Sequence, residues 1–141
     1  MKTIRVKKGY TPKVVGSPST ASQRTEQPTR LALVPEHIPF MKLRLKVKKG
    51  DRVALGSPLV EDKRNTYIHL LSPGGGGVFD VRFGPRRVIQ EIIIQLDETE
   101  KTIEFQQYSQ KDIDKMNRDE LVQSLVTGGA WPLIKELPFR D

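Results

Sequence analysis

The feature that most constrains this chain is a strict alternation in residues 42–48. Leu43, Leu45 and Val47 are interleaved with Lys42, Arg44, Lys46 and Lys48. An extended backbone then carries apolar side chains on one face and cations on the other. The run stops at Lys49-Gly50-Asp51, where Gly50 can supply a positive φ and Asp51 can accept hydrogen bonds from turn amides. Val53, Leu55, Leu59 and Val60 resume the strand pattern around Gly56-Ser57-Pro58, with Val53 and Leu59 facing inward.

Other segments share this grammar. Thr3–Val6 and Leu31–Val34 read as short strands, and Val34 to Phe40 as an extended, proline-punctuated crossing. Tyr67–Leu71 is a further strand, broken by Ser72-Pro73 and the glycine run Gly74 to Gly77. Val78–Phe83 alternates with Phe79, Val81 and Phe83 on one side, Gly84-Pro85 turns the chain, and Val88–Leu96 returns. A polar turn at 97–101 precedes a strand over Thr102–Phe105. Residues 16–30 are rich in Ser, Thr, Gln and Pro and cannot bury enough apolar surface to offset ordering, so they predict a long flexible loop.

Beyond Phe105 the period changes. Asn117 with Glu120 forms a capping-box pair ahead of Leu121, Val122, Leu125 and Val126 at helical spacing, with Gly128 as the C′ terminator. A second short helix is expected over Ala130–Glu136, before Pro138. The expected architecture is mainly β with a C-terminal helical segment: a β domain over 1–106 containing the loop at 16–30, and a helical tail over 107–141.

Composition removes several function classes. No apolar run exceeds four residues (Leu31 to Val34), far short of the roughly 20 a membrane-spanning helix needs. The N-terminus has no apolar stretch behind its lysines, so it does not read as a secretory signal, and a cytoplasmic location is expected. The absence of cysteine excludes disulfides, thiolate zinc sites and iron–sulfur clusters. Residues 1–64 hold 15 Lys+Arg against 5 Asp+Glu, and residues 65–141 hold 9 against 12. A basic half can face nucleic acid, an anionic membrane or an acidic partner. The plainer reading is a set of solvated strand faces. Only Tyr67 lies near a plausible stacking surface, so a nucleic-acid partner is not expected.

No residue is assigned a catalytic, cofactor-binding or metal-binding role. His37 and His69 have no carboxylates at ligand spacing, Ser72 belongs to no triad, and the acidic residues of 97–100 read as a solvated turn. The glycine run lacks the Lys-Ser/Thr and helix of a phosphate loop and reads as a structural turn. Thr127 to Pro132 is too bulky and too poor in glycine to cradle a phosphate. Trp131, Leu133, Ile134, Pro138 and Phe139 form an apolar cluster expected to pack helix against barrel; the alternative is a contact patch for a partner or for further chain.

The block from Val47 to Leu59, with Gly50-Asp51, Val53, Gly56 and Leu59, resembles the signature of biotinyl and lipoyl carrier domains and their unmodified relatives, which implies a barrel-sandwich hybrid fold followed here by short helices. In such carriers a modified lysine sits at the tip of the next hairpin. Here the tip falls near Thr66, and Lys63 comes too early, as a solvated strand residue. A narrower resemblance runs through nearly the whole chain. Gly50-Asp51-Arg52-Val53, Leu59 to Asn65 with its Glu61-Asp62-Lys63, Ser72-Pro73, and Arg86-Arg87-Val88-Ile89-Gln90 resemble the N-terminal region of the A-type subunit of sodium-translocating NADH:quinone reductases. The tail elements Asp119-Glu120-Leu121-Val122, Gly128 to Trp131 and Leu137-Pro138-Phe139 continue it. Family members run roughly three times longer. Departures lie at Tyr10 to Gly16 and Ile38 to Met41.

That resemblance implies a cytosolic, peripheral segment that docks to other subunits of a membrane complex, with quinone as a possible partner. NADH, flavins and quinone would act at the level of the complex, with no cofactor held by this chain. The alternative is a stand-alone carrier-like or protein-interaction module of the same fold.

Overall fold

A computed structural model describes residues 26–38 and 41–134, together with scattered positions at 9, 13, 15–17 and 19–22. The expected strand at Thr3–Val6 lies outside the described residues.

Among the described residues seven strands form two antiparallel sheets. The first has the order β1 (Arg30–Leu33), β7 (Ile89–Leu96), β6 (Gly76–Phe83) and β3 (Arg52–Val53). The second has the order β2 (Leu43–Leu45), β4 (Pro58–Asp62) and β5 (His69–Leu71). Leu59, Val60 and Leu70 from the second sheet meet Val78, Ile92 and Ile94 from the first in one buried core. Leu59, Val60, Ile92 and Ile94 are wholly excluded from solvent. Leu43, Leu45, Val47 and Val53 pack against this cluster from its rim, as their alternation requires.

The turn after the basic strand forms as expected. Gly50 has φ +92°, and the Lys48 amide donates to Asp51 Oδ2 at 2.9 Å. Backbone bonds from Gly50 N to Val78 O (2.9 Å) and from Val78 N to Asp51 O (2.8 Å) tie that turn to β6.

Several expectations change, each for a local reason. Register shifts between Val78 and Asp80 and between Arg82 and Phe83 split the expected apolar set. Val78 is buried with Val81 beside the core, while Phe79 and Phe83 are about half-exposed. Phe79 instead receives the Arg30 guanidinium, 3.7 Å from its ring centroid, a cation–π contact. The glycine break ends sooner than expected, because Gly76 and Gly77 already pair with Leu96 and Gln95. A side chain at Gly76 would collide with the Gln95 carbonyl, so glycine is needed there for close approach of two backbones. β1 begins at Arg30, taking the last residue of the expected loop, and β5 begins at His69, leaving Tyr67 exposed in the turn. The proline-punctuated crossing contains one 3-10 turn, Pro35–His37. Thr102–Phe105 is not a strand; it makes a single parallel bridge, Leu55 to Thr102.

The tail carries α1 (Gln110–Ile113) and α2 (Arg118–Thr127). Periodicity gives no sign of α1, which Ser109 and Asp112 hold with a capping box. In α2 the expected box forms, with Glu120 N donating to Asn117 Oδ1 at 2.9 Å and Asn117 N donating to Glu120 Oε2 at 3.1 Å. The left-handed glycine beyond α2 is Gly129 (φ +71°) rather than Gly128, and a side chain there would collide with Leu71 of β5. The second short helix is a 3-10 turn at Trp131–Leu133; residues 135 and 136 lie outside the described part. None of these turns or helices buries a large apolar side chain completely. The chain is thus mainly β with short helices on its C-terminal side, consistent with a barrel-sandwich hybrid.

Candidate functional site

The β4–β5 hairpin is the place to look for carrier chemistry. Asn65 N donates to Asp62 O (3.2 Å), and Ile68 N donates to Asn65 O (3.0 Å), so the chain reverses around Asn65 and Thr66. Neither residue is a lysine. Lys63 is exposed, but it sits in the turn just after β4 rather than within a strand. Its amide still donates to Lys42 O at 2.7 Å, which ties it to the residue preceding β2.

Glu61 in β4 is the electrostatic hub of the second sheet. It is 8% exposed, yet its carboxylate takes Arg44 Nε at 2.7 Å and Lys46 Nζ at 2.9 Å. The Lys46 hydrogen bond, with the Arg44 and Lys46 charges, holds its pKa below the ordinary value despite burial. His69 Nε2 lies 3.8 Å from Glu61 Oε2, too far for a hydrogen bond, and this buried nitrogen has no hydrogen-bond partner. Burial, reinforced by the Lys46 charge, lowers the imidazole pKa and favours its neutral form. Among the described residues no group of His, Cys, Asp or Glu side chains has the makings of a metal site. The alternation that gives β2 its cations does not reveal that two of them, Arg44 and Lys46, converge on one carboxylate. The pairing depends on the β2–β4 register, which places Arg44 opposite Glu61.

Two adjoining grooves open where β2 faces the β6–β7 connection. The first, about 520 Å³, is mostly apolar and includes Ile38, Met41, Leu43, Pro85 and Val88. The second, about 670 Å³, shares Met41, Leu43, Val88 and Ile89 and adds Lys42, Lys63, Arg86 and Arg87. Val88 is 62% exposed and Phe83 47% exposed at its rim. Lys42, Lys63, Arg86 and Arg87 form no ion pair with a described carboxylate. Arg86 and Arg87 both adopt left-handed backbone, at φ 56° and 59°. Such strain in a non-glycine residue costs on the order of 1 kcal/mol or more, so two in succession need compensation from their surroundings. Sequence patterning marks Gly84-Pro85 as a turn but gives no sign of this conformation or of the groove, whose walls come from distant segments.

At the tail, Pro132 is buried, while Leu133 and Ile134 are exposed. The expected packing of this cluster is therefore partial. Pro138 and Phe139 lie outside the described residues. Among the described residues no helix is long and apolar enough to cross a membrane.

Comparison with known proteins bears on this geometry. A family model described as the NqrA N-terminal barrel-sandwich hybrid domain matches residues 4–97. Proteins named as the A-type subunit of Na(+)-translocating NADH-quinone reductase align over 136 residues: that of Psychromonas ingrahamii at 32% identity, that of Hahella chejuensis at 32% and that of Tolumonas auensis at 30%. Each alignment covers 96% of this chain and 30% of the relative, so the chain spans under a third of the length of these proteins.

Proposed function

Because this chain belongs to the NqrA N-terminal barrel-sandwich hybrid domain family, we propose that it is the N-terminal docking segment of the NqrA subunit in a sodium-translocating NADH:quinone reductase. In this reading residues 1–106 form the docking domain and residues 107–141 a helical arm toward further parts of the subunit. The segment lies at the cytoplasmic face of the membrane as a peripheral component and contacts other subunits. Its role is scaffolding. NADH oxidation, flavin chemistry, quinone reduction and sodium export belong to the assembled complex.

The observation that carries the reading is where the resembling segments meet. Lys63, from the Glu61-Asp62-Lys63 element, and Arg86 to Ile89, from the second element, line one groove although they lie on different hairpins. A match built from unrelated strand propensities gives no reason for such convergence. The hairpin turn around Asn65 and Thr66, with no lysine at its tip, favours docking over a prosthetic-group carrier.

Affinity-tagging the gene product at its own locus tests the proposal. The expected result is co-purification from solubilised membranes with hydrophobic subunits and with NADH:quinone reductase activity stimulated by sodium. Recovery of the protein free of membrane subunits, from cells whose membranes carry that activity without it, would refute the reading.

A further inference from the structure

Among the described residues β2 is the edge strand of its sheet, with nothing paired on its outer side. Lys42 and Lys63 pair through Lys63 N to Lys42 O, and Lys46 and Leu59 pair through Lys46 N to Leu59 O. With Arg44 opposite Glu61, alternation in the antiparallel ladder makes Leu43 and Leu45 the non-hydrogen-bonded positions. Their backbone N–H and C=O groups therefore point away from β4, and no other described strand pairs with β2. An edge of this kind is a template for an added strand.

The larger groove runs along this strand from Met41 to Leu45, and its opposite wall is Phe83 and residues 86–89. Its cations Lys42, Lys63, Arg86 and Arg87 have no described carboxylate to neutralise them, while Met41, Phe83 and Val88 supply apolar surface between them. We propose that this groove receives an extended acidic peptide segment of a protein partner. The segment adds as a strand beside β2, with acidic side chains toward the four cations and alternate apolar side chains toward Met41, Phe83 and Val88. Charge complementarity selects an outside partner over the chain's own N-terminus, because Met1 to Lys8 carries Lys2, Arg5, Lys7 and Lys8 and no acid. The open backbone edge selects a peptide over a lipid surface, which has no ladder of donors and acceptors to match it. This inference concerns the chemistry of a partner segment and is tested without any other subunit, so its failure leaves the proposed function standing.

The test is a titration of the isotopically labelled protein with an eight-residue peptide of alternating Asp and Val, followed by amide resonances and their hydrogen exchange. Saturable binding is expected, with slowed exchange at the Leu43 and Leu45 amides, and the affinity should fall about tenfold or more between low and physiological salt. The double variant Arg86→Gly, Arg87→Gly removes two cations and suits the left-handed backbone, so it should fold and bind the peptide at least about tenfold more weakly. A peptide with Lys in place of Asp should not bind. The proposal is overturned if the Asp–Val peptide fails to bind at millimolar concentration, or binds without protecting Leu43 and Leu45. It is equally overturned if those amides are already protected in the free protein, which would place a segment of this chain on the edge. Binding to anionic phospholipid vesicles with no response to the peptide would assign the cations to a membrane instead, and would also overturn it.

Discussion

The sheets and the helical tail are held by different physics. In the sheets Leu59, Val60, Ile92 and Ile94 are completely buried, and the β6–β7 pairing fixes their register. In the tail α1 and α2 bury no residue, and each is closed by a reciprocal capping box. Burial couples distant residues, so damage to the sheets should spread through the fold. Capping satisfies local amides, so damage to the tail should stay local. A docking domain with a loosely attached arm is consistent with this division.

The sharpest way to break the comparison is Gly76→Val. Its side chain would overlap the Gln95 carbonyl, so β6 and β7 cannot pair in their present register, and the variant should lack the cooperative unfolding transition seen in denaturant. Ile94→Ala should fold but lose about 3–4 kcal/mol in the same measurement, the sum of lost burial and an unfilled cavity. If either change is tolerated without loss, burial does not dominate the sheets.

Acid should expose a smaller weakness of the second sheet. The Glu61 pKa is depressed, chiefly by its bond from Lys46, so Glu61 contributes stability present above its ordinary pKa of 4.5 and lost as pH falls through its lower folded value. His69 is also depressed, chiefly by burial. The unfolded chain therefore binds the proton first as pH falls through 6.5, and stability declines further in that direction. Denaturant midpoints measured from pH 8 to pH 4 should decline, and His69→Gln should flatten the upper part of that decline. A midpoint that rises toward acid would contradict both assignments. The smallest effect belongs to the tail. Asn117→Ala should weaken α2 by about 1 kcal/mol, seen as faster hydrogen exchange in residues 118–127, while the midpoint of the sheets stays in place.

The same division explains what the sequence reveals. The strands at Leu43–Leu45 and Ile89–Leu96, the Gly50 turn and the Asn117–Glu120 box depend on neighbours a few residues apart, and patterning finds them. The facing of Phe79 depends on a bulge against Ile93 and Ile94, so alternation alone assigns it to the wrong side. Thr102–Phe105 has strand-like residues but only one bridge to hold it, and composition cannot count partners. The grooves, the Glu61 cluster and the left-handed pair Arg86–Arg87 arise where separate hairpins converge, and no local pattern encodes that meeting. The likeness to the reductase family is legible because its elements occur in order along the chain, whereas their convergence on one groove requires the fold.

The central claim is that this segment supports assembly rather than chemistry, and one measurement addresses it directly. Cells carrying Ile94→Ala in the gene for this protein would be compared with the parent for sodium-stimulated quinone reduction, normalised to the amount of intact complex recovered from the membrane. A scaffold predicts fewer complexes, each turning over at the parental rate. Complexes recovered in full number but slowed in turnover would contradict it.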